Sequence, residues 1–227
     1  MQIKESKFKG VFLGLRGRRT LLLTKNLTPG RKFFDEDLIN HKGSELRTWN
    51  PDRSKLSAAI LNRLKSMPIK EGDVVLYLGS SYGTTCTYIS DIVKEKGFIF
   101  ALDFAPRVMR DLVFISQVRG NICPVLGNAN LPETYKDKVS KVDVLYIDVA
   151  QRNQAEILIK NAKLFLKDKG YAFFAIKARS VDVTKNPERV FQEEISKLLK
   201  SGFKLIDKVN LRPYQKDHVM ALLQYKL

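Results

Sequence analysis

The chain has 227 residues, 44% hydrophobic and 28% charged, with a net charge of +16. That length suits one medium domain with a small appendage, and the composition excludes a disordered chain. No apolar run reaches the ~18–20 residues of a membrane span, Met1-Gln2-Ile3-Lys4 lacks an apolar leader, and the charge favours a polyanionic partner, nucleic acid before an anionic membrane surface.

Residues 1–50 read as a small basic β-rich subdomain and 51–227 as the main domain. Strand-like pieces at 11–15, 20–24, 33–39 and 46–49 are separated by turns such as Thr28-Pro29-Gly30 and Lys42-Gly43. Over residues 1–32, Lys4, Lys7, Lys9, Arg16, Arg18, Arg19, Lys25, Arg31 and Lys32 face the single acid Glu5. Such charge can solvate an edge strand or form a docking surface for RNA or a partner.

The pattern changes at Asn50-Pro51, a suitable N-cap followed by a suitable first helical residue. Leu56, Ala59, Ile60 and Leu64 then follow helical spacing until Met67-Pro68. Strands are expected at 74–78, 98–102, 122–126, 142–147, 171–176, 203–211 and 219–225. Helices are expected at 84–94, 106–118, 151–166 and from Asn186-Pro187 to about Lys200. Repeated strand–helix units build a mostly parallel sheet with helices on both faces. The last two strands have no helix between them, so they should form an antiparallel hairpin. A seven-stranded, Rossmann-like sheet of this kind points to an S-adenosylmethionine (SAM) methyltransferase fold. Cys86 and Cys123 lack metal-ligand spacing and read as reduced, buried thiols, and no metal site is expected.

In such sheets ligands bind at the carboxyl ends of the strands. The first strand runs into Gly79-Ser80-Ser81-Tyr82-Gly83-Thr84-Thr85. Gly79 permits a tight turn and Gly83 a close backbone approach, while Thr84 and Thr85 open a helix with hydroxyl and amide donors. Asp103 ends the second strand, where an acid can accept both hydroxyls of a ribose. Phe104 beside it can pack on adenine. Asn128, in Gly127-Asn128-Ala129 after the third strand, can accept from an adenine amino group. The competing roles are a helix cap for Asp103 and a turn for Asn128.

Two further strand ends carry reactive groups: "VLYIDVAQ" delivers Asp148 and "GYAFFAIKARS" delivers Lys177. Alone, Asp148 could cap a helix and Lys177 could reach into solvent. On neighbouring strand ends they should lie near each other, with Lys55 from the helix before the sheet. His218 opens the last strand, where a surface or turn role competes. A carboxylate beside lysines suits methyl transfer to a hydroxyl, because a lysine near another cation can have a lowered pKa and act as general base.

"WNPDRSKLSAAI", "VLYLGSSYGTT", "KVDVLYIDVAQ", "AIKARSVDVTKNPE" and "PYQKDHVMAL" resemble the fibrillarin family in its compact archaeal form, and the resemblance spans nearly the whole chain. It implies SAM-dependent methylation of ribose 2′-oxygens in ribosomal and transfer RNA. It also implies direction by box C/D guide RNA, pairing with target RNA, a Nop-family scaffold protein and a kink-turn-binding ribosomal-type protein. A cytoplasmic location is expected. The family's Lys-Asp-Lys-His set falls on Lys55, Asp148, Lys177 and His218. Its cofactor contacts fall on Thr84, Thr85, Asp103, Phe104, Asn128, Ala129, Asp148, Val149, Ala150 and Gln151. The chain departs from the family's common residues at Asp103 (Glu), Asn128 (Asp) and Tyr88 (His). A small-molecule O-methyltransferase and a non-catalytic RNA-binding subunit of the same fold are the alternative readings.

Overall fold

A computed structural model describes residues 1–226, and Leu227, the end of the expected main domain, lies outside the described residues. The amino-terminal part is a five-stranded antiparallel sheet: β1 (Gln2–Glu5), β2 (Val11–Arg16), β3 (Arg19–Lys25), β4 (Leu38–His41) and β5 (Ser44–Thr48), in the order β1-β2-β3-β5-β4. β1 carries almost no buried side chain and so has no periodic signature; it is held by its ladder to β2. The strand expected at 33–39 begins only at Leu38. The Glu36 carboxylate accepts from the backbone N–H groups of Phe33 (3.0 Å) and Phe34 (2.8 Å), which folds that segment into a loop.

Helix α1 (Lys55–Leu61) starts later than Asn50-Pro51 suggests. The Asn50 side chain accepts from the Asp52 N–H at 3.0 Å and makes a turn, and Ser54 is the cap. The helix also ends early, because Asn62 donates to the carbonyls of Asn210 and Arg212, both at 2.7 Å, and Arg63 then turns left-handed at φ 69°.

The main sheet has seven strands: β6 (Val74–Leu78), β7 (Phe98–Asp103), β8 (Ile122–Leu126), β9 (Val142–Ile147), β10 (Leu166–Lys177), β11 (Phe203–Asn210) and β12 (His218–Tyr225). Their order is β11-β12-β10-β9-β6-β7-β8; β6 to β10 are parallel, and β12 runs antiparallel to β10 and β11. The reversal between β6 and its neighbours β7 and β9 is the topological switch point, where the fold opens a crevice. Helices α2 (Thr84–Val93), α3 (Pro106–Val118), α4 (Gln154–Phe165), α5 (Ala178–Val181) and α6 (Pro187–Leu199) connect the strands, with a 3₁₀ segment over Pro132–Lys138. Helix α4 starts three residues after Gln151. Asn130 donates to Gln151 (2.5 Å) and accepts from Asn153 (2.6 Å), which holds the intervening chain as a turn.

Each face of the sheet has its own apolar core. On one, Phe8, Val11, Leu22 and Trp49 from the amino-terminal part pack with Leu56, Ile89, Leu112, Tyr146 and Phe173. On the other, α4 and α6 bring Leu158, Val190 and Leu198 onto Leu76, Phe174 and Leu223. Each such side chain, fully buried, contributes about 1.5–3 kcal/mol. Cys86 is buried, but Cys123 on edge strand β8 is only half-buried; both are free thiols.

A buried ionic cluster joins the two sheets. Asp91 on α2 accepts from Arg47 Nε (2.6 Å), Arg119 Nη1 (2.7 Å), the Thr24 hydroxyl (2.6 Å) and the Leu27 N–H (3.0 Å). Arg47 also reaches Glu36 at 3.1 Å and lies over the Tyr88 ring, 3.9 Å from its centre.

Candidate active site

Gly79, just after β6, has φ +79°, and a Cβ there would stand 2.5 Å from the Asp148 carbonyl oxygen. Only glycine lets these two strand ends approach so closely. The N–H groups of Gly79 and Ser80 both donate to the Leu102 carbonyl, which turns the loop away from the sheet. Gly83 caps α2 with φ +86° and leaves no room for a side chain, because Leu112 would meet it.

The resulting cleft has a volume of about 320 Å³. Eight residues expected from the sequence line it: Gly79, Asp103, Phe104, Ala129, Asp148, Val149, Ala150 and Gln151. Ser81, Leu102 and Gly127 also line it. Ser81 and Leu102 escaped sequence reasoning because one looks like loop filler and the other like core. Gly83, Thr84, Thr85 and Asn128 are not among the lining residues. Thr85 is buried with its hydroxyl on that of Ser54 at 3.0 Å, and Asn128 closes a turn by accepting from the Asn130 N–H at 2.9 Å.

Asp103 is buried. Its carboxylate accepts from the Ser81 N–H (2.9 Å) and the Ala105 N–H (3.0 Å), so it orders the loop and the entry to α3. Each oxygen keeps a second lone pair for a ligand hydroxyl. Phe104 exposes 68% of its surface beside this carboxylate, an apolar plate at the rim.

Asp148 belongs to this cleft and to a second cluster. Its carboxylate accepts from Lys55 Nζ at 2.8 Å, with both side chains about one-fifth exposed. Its own N–H donates to the Leu78 carbonyl, continuing the β9 ladder. Lys177 ends β10 and is the cross-strand partner of His218, which opens β12. The alternation of strands sorts these groups. Tyr146, Phe173, Ala175, Met220 and Leu222 belong to the core under α1, and Asp148, Lys177 and His218 share their parity. All three therefore stand on the face from which α1 presents Lys55.

The His218 Nδ1 lies 2.6 Å from the Lys216 carbonyl. A carbonyl only accepts, so Nδ1 carries the proton and Nε2 keeps its lone pair. Burial, and then the nearby Lys55 and Lys177 charges, push its pKa below the usual imidazole range, against the opposing pull of the Lys216 carbonyl and Asp148. The site thus gathers His218, Lys55, Lys177 and Asp148 beside the cleft that Asp103 and Phe104 line. Asp217, next to His218 in the chain, pairs with Arg179 (3.2 Å) and Arg212 (3.1 Å). Among the described residues no cluster of three or more His, Cys, Asp or Glu is placed to hold a metal, and no helix is long and apolar enough to cross a membrane.

The chain matches the Fibrillarin family over residues 3–227. It is 49% identical over 225 residues to the fibrillarin-like rRNA/tRNA 2′-O-methyltransferase of Thermococcus sibiricus, covering 99% of each chain. Its fold is similar to that of Aeropyrum pernix fibrillarin, solved in complex with natively bound S-adenosyl-L-methionine, with a TM-score of 0.92, 44% identity and 98% of each chain covered. It is also similar to a fibrillarin solved as a fibrillarin/Nop5p complex, with a TM-score of 0.81, 36% identity, and 91% of this chain and 94% of that one covered. With the family matched along nearly its whole length and with such relatives, this chain belongs to the fibrillarin family.

Proposed function

We propose that this chain transfers the methyl group of SAM to ribose 2′-hydroxyls of ribosomal and transfer RNA. It would act as the catalytic subunit of a particle that also contains a box C/D guide RNA, a Nop-family scaffold and a kink-turn-binding protein. The observation that carries this reading is the double placement of Asp148: it lines the cleft and holds Lys55 at 2.8 Å. A methyl donor in the cleft and a hydroxyl at the cluster would therefore be adjacent. The related SAM-bound fibrillarin and the fibrillarin/Nop5p complex support the cofactor and the scaffold partner. A net charge of +16 favours RNA over a small-molecule acceptor.

SAM supplies an electrophilic methyl group when bound. The chain's task is to hold the acceptor oxygen in line and remove its proton. Asp103, with its free lone pairs, would hold the ribose diol of the cofactor, and Phe104 would pack on the adenine. Lys55, fixed by Asp148, and Lys177 place positive charge beside the acceptor oxygen as it loses its proton. His218 Nε2, unprotonated near neutrality, is the acceptor for that proton. Arg179 and Arg212, held by Asp217, would receive flanking phosphates.

The direct test is transfer of labelled methyl from SAM to a defined ribose in particles assembled with a matching guide RNA. Methylation must depend on the guide and fall at the paired nucleotide. Equal labelling without the guide would defeat the guide-directed part of the reading. A thermal shift with SAM tests the cofactor separately, since a ligand at 100 times its Kd stabilises by about 2.7 kcal/mol.

The His218 assignment predicts a pH dependence. A depressed pKa leaves the imidazole neutral at and above neutrality, so single-turnover rate should be flat there and fall as pH drops through a midpoint below the ordinary imidazole value. His218→Ala should lower the plateau by about 10²-fold and remove the acid limb. An unchanged limb in that variant would assign it to another group.

A further inference from the structure

Strand β9 stops pairing with β10 at Ile147, opposite Phe174, whereas on the other side of β10 the β12 ladder continues to Lys177 and His218. Lys177 therefore has a strand neighbour on one side only. Both of its main-chain groups are turned to the side where β9 has ended. Left there, a half-buried N–H and C=O would lack strand partners. The partner they find is a side chain. Gln154, the first residue of α4 and fully buried, accepts from the Lys177 N–H through Oε1 at 3.2 Å and donates from Nε2 to the Lys177 carbonyl at 3.4 Å. A primary amide presents the same donor and acceptor as a peptide edge, so Gln154 replaces the missing rung.

The support is itself anchored. The Ala155 N–H, next to Gln154, donates to Glu194 Oε2 at 3.0 Å, and this buried α6 carboxylate also binds Lys197 at 2.6 Å. A carboxylate at a helix N-terminus is favourably placed in the helix field. Helix α6 thus fixes the start of α4, and α4 fixes the end of β10.

We propose that Gln154 is a positioning residue of the methyl-transfer site: it locks the backbone of Lys177 where β10 leaves the sheet, and thereby aims the Lys177 ammonium at the reacting ribose hydroxyl. The inference rests on the reading of Lys177 given above. A misplacement of ~1 Å at such a group can cost about 10²-fold in rate.

The test is a double-mutant cycle in the assembled, guide-loaded particle, read as single-turnover methyl transfer to a complementary RNA. Gln154→Met keeps the length and loses the amide. Alone it should slow transfer by about 10- to 100-fold, with the KM for RNA and the Kd for SAM within about twofold of wild type. In the Lys177→Ala background the same change should have less than about a twofold effect, because residues that act as a unit are not additive. Equal losses in both backgrounds would show a general structural role and overturn the proposal, as would an unchanged rate. If Gln154→Met does not fold, Gln154→Glu, which keeps the acceptor and loses the donor, enters the same cycle under the same criteria. Wild-type turnover by Lys177→Ala alone would overturn the role of Lys177 itself, whereas a slow Lys177→Ala with a fast Gln154→Met would remove only the positioning role.

Discussion

Asp148→Asn is expected to lower the rate of methyl transfer by two to three orders of magnitude while leaving the fold intact. The fold uses the main chain of Asp148, through its N–H to Leu78, and the substitution does not touch that bond. Among the described residues its carboxylate has one ionic partner, Lys55 at 2.8 Å. An amide of the same shape removes the charge that fixes Lys55, so the orientation on which the proposed mechanism relies is lost. Loss of one preorganised electrostatic contact typically costs about 10²–10³-fold. Lys55→Ala should then be comparably slow, and the double variant no slower than the worse single one. Single-turnover rates of the four proteins, with circular dichroism as the check on folding, measure this cycle. A rate for Asp148→Asn within threefold of wild type would remove the ion pair from the mechanism.

The legible part of this site follows from the regularity of strands. The central strands could be placed from short apolar runs such as "VLYI", because strands covered on both faces are apolar without interruption. By contrast, β10 begins five residues before the expected 171, through the polar 167–169, and edge strand β11 carries Lys204, Asp207 and Lys208. Residues at the carboxyl ends of the central strands must then surround the switch point. Period-two alternation places Lys177 and Asp148 on the face of Ala175 and Tyr146. What stayed hidden depends on side chains that act as backbone. Ser54 displaces Asn50 as the helix cap, Glu36 folds residues 33–37 away from a strand, and Gln154 completes a ladder. A polar residue in such a role carries no periodic signal, since its partner is fixed only by the tertiary fold. The same holds for Thr85, whose hydroxyl faces Ser54 and not the cleft, and for Asn128, which closes its own turn.

The ionic cluster around Asp91 was equally invisible, because its members are far apart in sequence. Asp91→Ala is expected to cost about 3–5 kcal/mol, the range for removing one partner of a buried ion pair. Arg47, Arg119 and Asp91 are buried, and Asp91 is bonded to both guanidinium groups. The cluster has no spare acceptors: Arg47 Nη2 and Arg119 Nε are buried without a hydrogen-bond partner among the described residues. Burial already pushes the Arg119 pKa down, against the pull of Asp91. Without Asp91, two cations face each other with Glu36 as the remaining carboxylate, which is bonded to Arg47 and acts on Arg119 only through its field. Glu36 keeps a lowered pKa although burial opposes it, because backbone N–H groups and Arg47 favour its charged form. Its contribution is therefore present above the ordinary carboxylate pKa and is lost as pH falls through the lower folded value. Urea unfolding should show the midpoint of Asp91→Ala well below wild type at neutral pH, with a similar slope if the whole chain unfolds as one unit. Against a typical total of about 5–15 kcal/mol, such a loss leaves little reserve. A midpoint shift equivalent to less than about 1 kcal/mol would mean that water reaches the two arginines and that the cluster does not tie the amino-terminal sheet to α2.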